Sequence, residues 1–249
     1  MTDRTERNSV TATLPRARRG WEGAVLKALR APDFTLTVLR TQPVTPRLHR
    51  LVVADGGLLA AHPPHPTQWV RLWFPGPKPH QRAYTVVDPD PVAGTFALEF
   101  AVHDGPAPAW ALAARPGDTI EATVQGSAFR HPATVPGTAW VVGDLASVPA
   151  IRTLVPVLAP GRVQVVLEHA HEDELDVPLE LAPGVPVTRV PRGDGTALPA
   201  AVLAALGDDA ARDWFWIAAE ASATRALVKA LRARGVGKDR IDACGYWSA

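Results

Sequence analysis

The sequence predicts a two-domain β + α/β protein, an antiparallel β-barrel followed by an open, mostly parallel α/β unit. Three observations lead there. Between residues 35 and 126 the apolar residues fall into six short, partly alternating runs separated by Gly, Pro and Asp, the pattern of antiparallel strands. From residue 139 onward, short apolar strands instead interleave with helix-length segments, as in a parallel sheet covered on both faces. Between the two patterns, "AFRHPATVPG" carries two prolines and a glycine and suits a linker, so the halves are read as 21–132 and 133–249, preceded by a basic arm at 1–20.

The six runs of the first half are "TLTVLR", "RLHRLVVADG", "QWVRLWFP", "RAYTVVD", "TFALEFAVHD" and "DTIEATVQG". A short helix from Ala107 to Ala114, halted by Arg115-Pro116-Gly117, crosses one open end of the barrel. In the second half, strands are expected at 139–142, 163–168, 185–190, 214–218 and 240–245. Helices are expected at 148–159, in spite of Pro156, and at 198–206 and 222–234. The last of these is the best defined. Ala223, Leu227, Val228 and Leu231 form its sheet-facing stripe, Arg225, Lys229, Arg232 and Arg234 face solvent, and Gly235 ends it.

Composition narrows the function. The chain has 249 residues, 47% of them hydrophobic, enough for a substantial core. A net charge of +1 with 20% charged residues offers no field of one sign for nucleic acid or an anionic membrane. No apolar run reaches the roughly 18 residues of a membrane span. The single cysteine, Cys244, excludes an intrachain disulfide framework and an all-cysteine metal site, and favours a reducing, cytoplasmic compartment and a monomer. No metal site is expected: "HPPHP" at 62–66 and "HAHEDE" at 169–174 lack the ligand spacing of a zinc centre. A serine-hydrolase elbow, Gly-x-Ser-x-Gly, is also missing.

The sharpest local signal is "QRAYTVV". Arg82 and Tyr84 share one face of a strand, with Thr85 their neighbour. A guanidinium fork meets phosphate, an aromatic ring packs beside a planar cofactor, and a hydroxyl bonds its edge, a combination that suits flavin. The same four residues also suit an ordinary edge strand with a solvated arginine and a packed tyrosine. A barrel joined to an open α/β unit places a cleft at their junction, an arrangement common among flavin reductases.

From about residue 30 to the end, the chain resembles the siderophore-interacting protein family, a branch of the ferredoxin-reductase-like flavoproteins. Arg82-Ala83-Tyr84-Thr85 is similar to its Arg-x-Tyr-Thr signature, and His103, Gly105-Pro106-Ala107 and Trp110-Ala111 to its phosphate-side segment. "GDLASVPAI" at 143–151 resembles the family's Gly-Asp-Glu-Thr-Ala-Leu-Pro-Ala-Ile element, and "AEASATRALVKALRARGV" with the closing Gly245-Tyr246-Trp247 resembles its C-terminal part. The resemblance implies one FAD per chain, held by Arg82, Tyr84, Thr85 and Val86 on the strand and by His103, Gly105, Pro106, Ala107 and Trp110 under the pyrophosphate. Gly126, Ser127 and Ala128 would form the rest of the cradle, with a terminal aromatic, Trp247, over the flavin. It further implies NADH or NADPH as a transient donor near Gly143, Asp144, Ser147, Pro149 and Glu220, and a ferric siderophore as substrate drawn by basic residues such as Arg225 and Lys229. The flavin itself carries electron transfer, so no protein side chain is assigned as catalytic.

Bland readings stand beside several of these. His103 also suits a polar residue ending a strand, Glu220 a helix-start carboxylate, and Arg225 and Lys229 a solvated helical face. The sequence also departs from the family pattern. Val87 stands where a second basic residue is usual, and Leu145 and Ala146 replace an acidic-hydroxyl pair. These departures keep open a ferredoxin-type donor, a flavin- or siderophore-binding protein without efficient NAD(P)H activity, and a flavin reductase with another acceptor.

Overall fold

The computed structural model describes residues 33–76, 80–124, 135–158 and 162–248. The arm at 1–20, the Gly126-Ser127-Ala128 turn and most of the expected linker lie outside the described residues.

Seven strands form the first sheet: β1 (Asp33–Thr45), β2 (Leu48–Ala54), β3 (Trp69–Phe74), β4 (His80–Thr85), β5 (Val87–Asp90), β6 (Thr95–Ala101) and β7 (Thr119–Thr123). Their order is β4-β3-β7-β1-β2-β6-β5, and every pairing is antiparallel. Two of these strands come from one sequence run. "RAYTVVD" reads as a single strand, but Val86 breaks it: its amide turns to the Gln68 carbonyl at 2.8 Å, outside either ladder. Upstream, β4 pairs with β3; downstream, β5 pairs with β6 at the opposite edge. A continuous stretch of chain thus joins both edges and curls the sheet into a barrel, which brings Tyr84 of β4 and Phe100 of β6 to 4.3 Å between ring centroids. Inward residues at period two, among them Leu36, Val38, Leu51, Val53, Leu72, Phe96 and Leu98, fill the interior. A single turn, α1 (Leu58–Ala61), and the longer α2 (Pro106–Ala113) close the barrel's ends, and α2 starts one residue before the expected position.

The second sheet contains β8 (Ala139–Gly143), β9 (Val163–His169), β10 (Val187–Pro191), β11 (Trp214–Glu220) and β12 (Ile241–Trp247). Its order is β10-β9-β8-β11-β12, and all four pairings are parallel. Three helices cover it: α3 (Val148–Leu154), α4 (Ala197–Ala205) and α5 (Ala221–Ala233). Pro156 stops α3 early, and a 3-10 turn (Val155–Val157) replaces the rest of the expected helix, because a proline inside a helix removes a donor and crowds the preceding turn.

Alternation along β11 sorts the two layers. Trp214, Trp216 and Ala218 join a core with α3 that also receives Leu48 and Val44 from the barrel; Phe215, Ile217 and Ala219 join a core with Leu198 and Val202 of α4 and Leu227 and Leu231 of α5. One sheet face therefore looks toward the barrel and the other away from it. Arg152 of α3 ties the halves together: its Nη1 lies 2.6 and 2.7 Å from the Glu99 carboxylate of β6, whose side chain is fully buried. Arg50 of β2 adds a second bond to Glu99 at 3.2 Å, and the Thr67 amide reaches the Thr153 hydroxyl at 2.9 Å. A doubly paired buried carboxylate resists being opened, since removal of either partner strands a charge in low dielectric.

Candidate flavin and nicotinamide sites

Strand closure brings Tyr84, Val86, Ala107 and Trp110 of the predicted flavin residues into one apolar core. Arg82 is exposed, and the bond recorded for its guanidinium is to the Gln81 carbonyl at 2.9 Å; no carboxylate pairs with it among the described residues. Tyr84, two residues on, turns inward. Its ring packs on Phe74 at 6.0 Å as well as on Phe100, and burial pushes its phenol well above the ordinary range. Trp110 completes the cluster, at 5.8 Å from Phe74 of β3 and 6.4 Å from Phe100 of β6, so the indole anchors α2 to the two strands on which Tyr84 packs. Aromatic contacts of this kind favour tilted and edge arrangements, as seen here.

The start of α2 is sparsely equipped. No side chain caps it and no acidic residue stands in its first turn. Pro106 and Pro108 have no N–H, and the Ala109 amide is bonded to the Gly105 carbonyl at 3.1 Å, which leaves the Ala107 amide to serve an anion. Gly105 has a φ of 157°, and a Cβ there would come within 3.3 Å of the His103 ring, which is exposed and bonded through Nδ1 to the Asp104 carbonyl at 2.8 Å. Of the predicted residues, Tyr84, Val86, Ala107 and Trp110 share the barrel's apolar core, with Arg82 and Thr85 beside them along β4 and His103, Gly105 and Pro106 leading into α2.

The second group lies at the carboxyl ends of β8 and β11, where the connections of this sheet diverge to opposite sides and ligands bind in open α/β folds. Here the polar groups are occupied within the fold. Asp144 and Ser147 form a reciprocal cap: the Asp144 amide donates to Ser147 Oγ at 2.9 Å, and Asp144 Oδ1 accepts from the Ala146 amide at 3.0 Å. Gly143 is dictated by that cap, since a Cβ would fall 1.9 Å from Ser147 Oγ. Pro149 is buried at the start of α3. Glu220 caps α5, with Oε2 accepting from the Ser222 amide at 2.5 Å and the Ala223 amide at 3.0 Å.

Two residues unmarked in the sequence complete this end. Arg192, just past β10, donates through Nε to Glu168 of β9 at 2.6 Å and lies 4.8 Å over the Trp247 ring. Trp247 Nε1 in turn donates to Asp144 Oδ2 at 2.7 Å. Burial is the leading influence on the Asp144 carboxyl and pushes it up to about 6, although the Trp247 bond and Arg192 at 3.9 Å pull the other way. The available signal was positional: Glu168 and Arg192 stand at the ends of adjacent strands, on the same rim as Gly143 and Glu220.

The last strand links the two groups. Tyr246 lies near Thr85 and packs edge-on against Trp216 at 6.2 Å, while its neighbour Trp247 stays on the sheet's own rim. Of the two terminal aromatics, Tyr246 is therefore the one beside the barrel strand. Arg225 and Lys229 join neither group. They lie on α5, in the layer away from the barrel, and line a groove with Ala243 and Gly245 of β12.

Comparison with known proteins assigns the family. Residues 137–249 match the family described as Siderophore-interacting protein, and residues 76–126 match the Siderophore-interacting FAD-binding domain. The chain belongs to the siderophore-interacting protein family. The Mycobactin import ATP-binding/permease protein IrtA of Mycolicibacterium smegmatis is 34% identical over 92% of this chain, and its Mycobacterium tuberculosis counterpart 32% over 93%. The chain spans only 27% and 28% of those two proteins. Among solved structures, a siderophore utilization protein from T. fusca superposes with a TM-score of 0.75 at 23% identity, covering 87% of this chain and 93% of that one. The siderophore-interacting protein from Acinetobacter baumannii gives 0.74 at 21%, covering 87% and 91%. The ferredoxin reductase of carbazole 1,9a-dioxygenase gives 0.69 at 16%, covering 87% and 70%. These structural likenesses establish the ferredoxin-reductase-like two-domain fold.

Proposed function

We propose that this chain is an FAD-dependent reductase that takes electrons from NADH or NADPH and delivers them to ferric siderophores, with the two functional halves divided near residues 132 and 133. The observation that supports this reading best is Arg82: an exposed guanidinium with no carboxylate partner among the described residues, on the strand that closes the barrel. It stands two residues before Tyr84, whose ring joins Phe74, Phe100 and Trp110 in the cluster that seats α2, a helix with no acidic residue in its first turn. That donor set fits a diphosphate-bearing flavin. Bound FAD would supply conversion of a two-electron hydride donor into one-electron deliveries.

In this reading, Arg82 and the Ala107 amide hold phosphate, with Gly126, Ser127 and Ala128 as further candidates. Tyr84 and Trp110 exclude water from the barrel end, and Tyr246, packed on Trp216 near Thr85, keeps the sheet's last strand beside it. The rim near Gly143, Asp144, Ser147, Pro149 and Glu220 receives the nicotinamide nucleotide weakly, because its polar groups are already bonded within the fold. Each nicotinamide donates two electrons, and each ferric complex accepts one. The resulting Fe(II) is held less tightly by hard oxygen ligands and leaves. The relatives' names point to mycobactin-type ferric complexes as the first substrates to try.

The test is anaerobic. Purified protein should carry about one releasable FAD, by the family resemblance and the donor set. NADH or NADPH should bleach its oxidised flavin band, and ferric mycobactin should restore it while an Fe(II) chelator traps reduced iron. Protein that shows no spectral change with added FAD defeats the flavin reading. Reduced flavin that leaves several ferric siderophores untouched defeats the reductase reading and favours binding alone. Reduction by ferredoxin but by neither nicotinamide moves the donor to a protein, as Leu145 and Ala146 on the rim would allow.

A further inference from the structure

The groove that holds Arg225 and Lys229 has features that the reductase reading does not use. It runs for about 600 Å³ between α5 and β12, lined by Ala221, Thr224, Val228 and three cations, Arg225, Lys229 and Arg232. Along the helix the cations sit at i, i+4 and i+7, one stripe roughly 10 Å long at 1.5 Å per residue. None of the three has an ion pair among the described residues. The Thr224 hydroxyl, in the groove wall, is buried without a hydrogen-bond partner. Beneath the cations, β12 is the terminal strand of its sheet: among the described residues β11 is its only partner, and Asp242, Ala243, Cys244 and Gly245 are exposed. An open strand edge presents a row of unpaired amides and carbonyls, and natural proteins usually blunt or cover it.

The two faces of β12 do different work. Cys244 lies within electrostatic reach of Arg71 on the barrel, and Tyr246 lies near Thr85; Ala243 and Gly245 point to α5. The groove is thus on the side of the sheet away from the flavin strand, which separates it from the proposed electron-transfer cleft. We infer that it is a docking surface for an acidic, extended segment of a partner protein, which adds as a strand along Asp242–Gly245 and places carboxylates against Arg225, Lys229 and Arg232. The strand edge asks for main-chain hydrogen bonds, and the helix stripe asks for negative charge at alternate residues of the same segment. A second copy is a poor occupant, because edge-to-edge pairing of two β12 strands brings two sets of three cations together.

The experiment uses the full chain and a fluorescein-labelled ten-residue probe of alternating Glu and Val, about the span of β12 and its flanks. Controls are the Lys-Val equivalent and a Glu-Val peptide N-methylated at alternate residues, which lacks one edge of amides. The test variant is Arg225→Gln/Lys229→Gln/Arg232→Gln, whose glutamines keep helix propensity, with its melting temperature recorded. The expected result is Glu-Val binding that weakens with salt, falls at least about tenfold in the triple variant and is lost on N-methylation. Equal binding by the triple variant, by the Lys-Val peptide or by the N-methylated peptide overturns the proposal. So does failure of the Glu-Val peptide to bind the folded chain, or a concentration-dependent dimer in sedimentation, which would give the groove to a second copy. If the triple variant melts lower, Arg232→Gln alone provides the comparison, and unchanged Glu-Val affinity in that folded variant counts against the proposal.

Discussion

The barrel end and the rim of the parallel sheet face each other across the last strand, yet they treat their polar groups in opposite ways. At the barrel end, apolar rings are packed together while Arg82 and the Ala107 amide are left available. At the rim, Asp144, Ser147, Glu220, Arg192 and Trp247 bond to one another or cap helices. The first arrangement is prepared for a ligand that stays, since its donors need no rearrangement. The second must break internal bonds to bind anything strongly, which suits a donor that comes and goes.

The largest expected effect tests the packed side of this contrast. Trp110→Ala removes the indole shared by Phe74 and Phe100 and should cost about 3–5 kcal/mol in urea unfolding, with loss of whatever flavin the barrel holds. A loss below about 1 kcal/mol would mean that α2 is not anchored by this ring.

Asp144 sharpens the rim. Its carboxyl is raised from 3.8 to about 6 in the fold, so its contribution to stability is fully present below the unfolded value and is lost as pH rises through about 6. The shift corresponds to an effect on the order of 3 kcal/mol. Asp144→Asn cannot titrate, so its stability relative to the parent should improve by that order between pH 4 and 6.5 in chemical denaturation, with a change in Trp247 fluorescence. A constant difference across the window would show that Asp144 is not buried as a strained acid.

Arg82→Ala probes the available side. It should weaken FAD binding by about 1.5–3 kcal/mol, the worth of a charge-assisted phosphate bond, and leave apo-protein stability within about 0.5 kcal/mol. Arg225→Ala should leave FAD affinity unchanged, because it lies on the far face of the sheet; equal losses would return Arg82 to the role of a solvated edge residue. The smallest expected effect is at Glu220. Its replacement by Ala should destabilise α5 by about 1 kcal/mol through loss of the cap, while a large fall in nicotinamide-dependent flavin bleaching at unchanged stability would instead make it a ligand contact.

Much of the fold was legible because the two periodicities are local properties. Alternation in "TFALEFA" and the buried run "WFWIAA" each fix an element without reference to the rest of the chain, and α5 declared its stripe at period 3.6. The stripe was right but incomplete: Val228 packs against the sheet core while bordering the groove, and Thr224 is buried beside it. A helix beside a sheet edge is covered over a narrower arc than one lying across the sheet's middle, so the apolar stripe and the buried face need not coincide. The Arg-x-Tyr-Thr strand and the Gly-Pro-Ala turn were visible as motifs, but Glu168 and Arg192 were not, since each is an ordinary charged residue until parallel pairing aligns the strand ends.

The sequence by itself determined the order of the elements, the change from antiparallel to parallel pairing, and the residue types available for a flavin, because these follow from periodicity, turn residues and side-chain chemistry along the chain. Only the tertiary structure decided that Val86 splits one run into two strands that join the barrel's edges, and that Tyr246 rather than Trp247 lies beside the barrel strand. It also decided that the basic residues of α5 face away from the cleft. Each of these depends on which strand pairs with which and on the parity of a side chain across a sheet, and a single residue of register reverses that face.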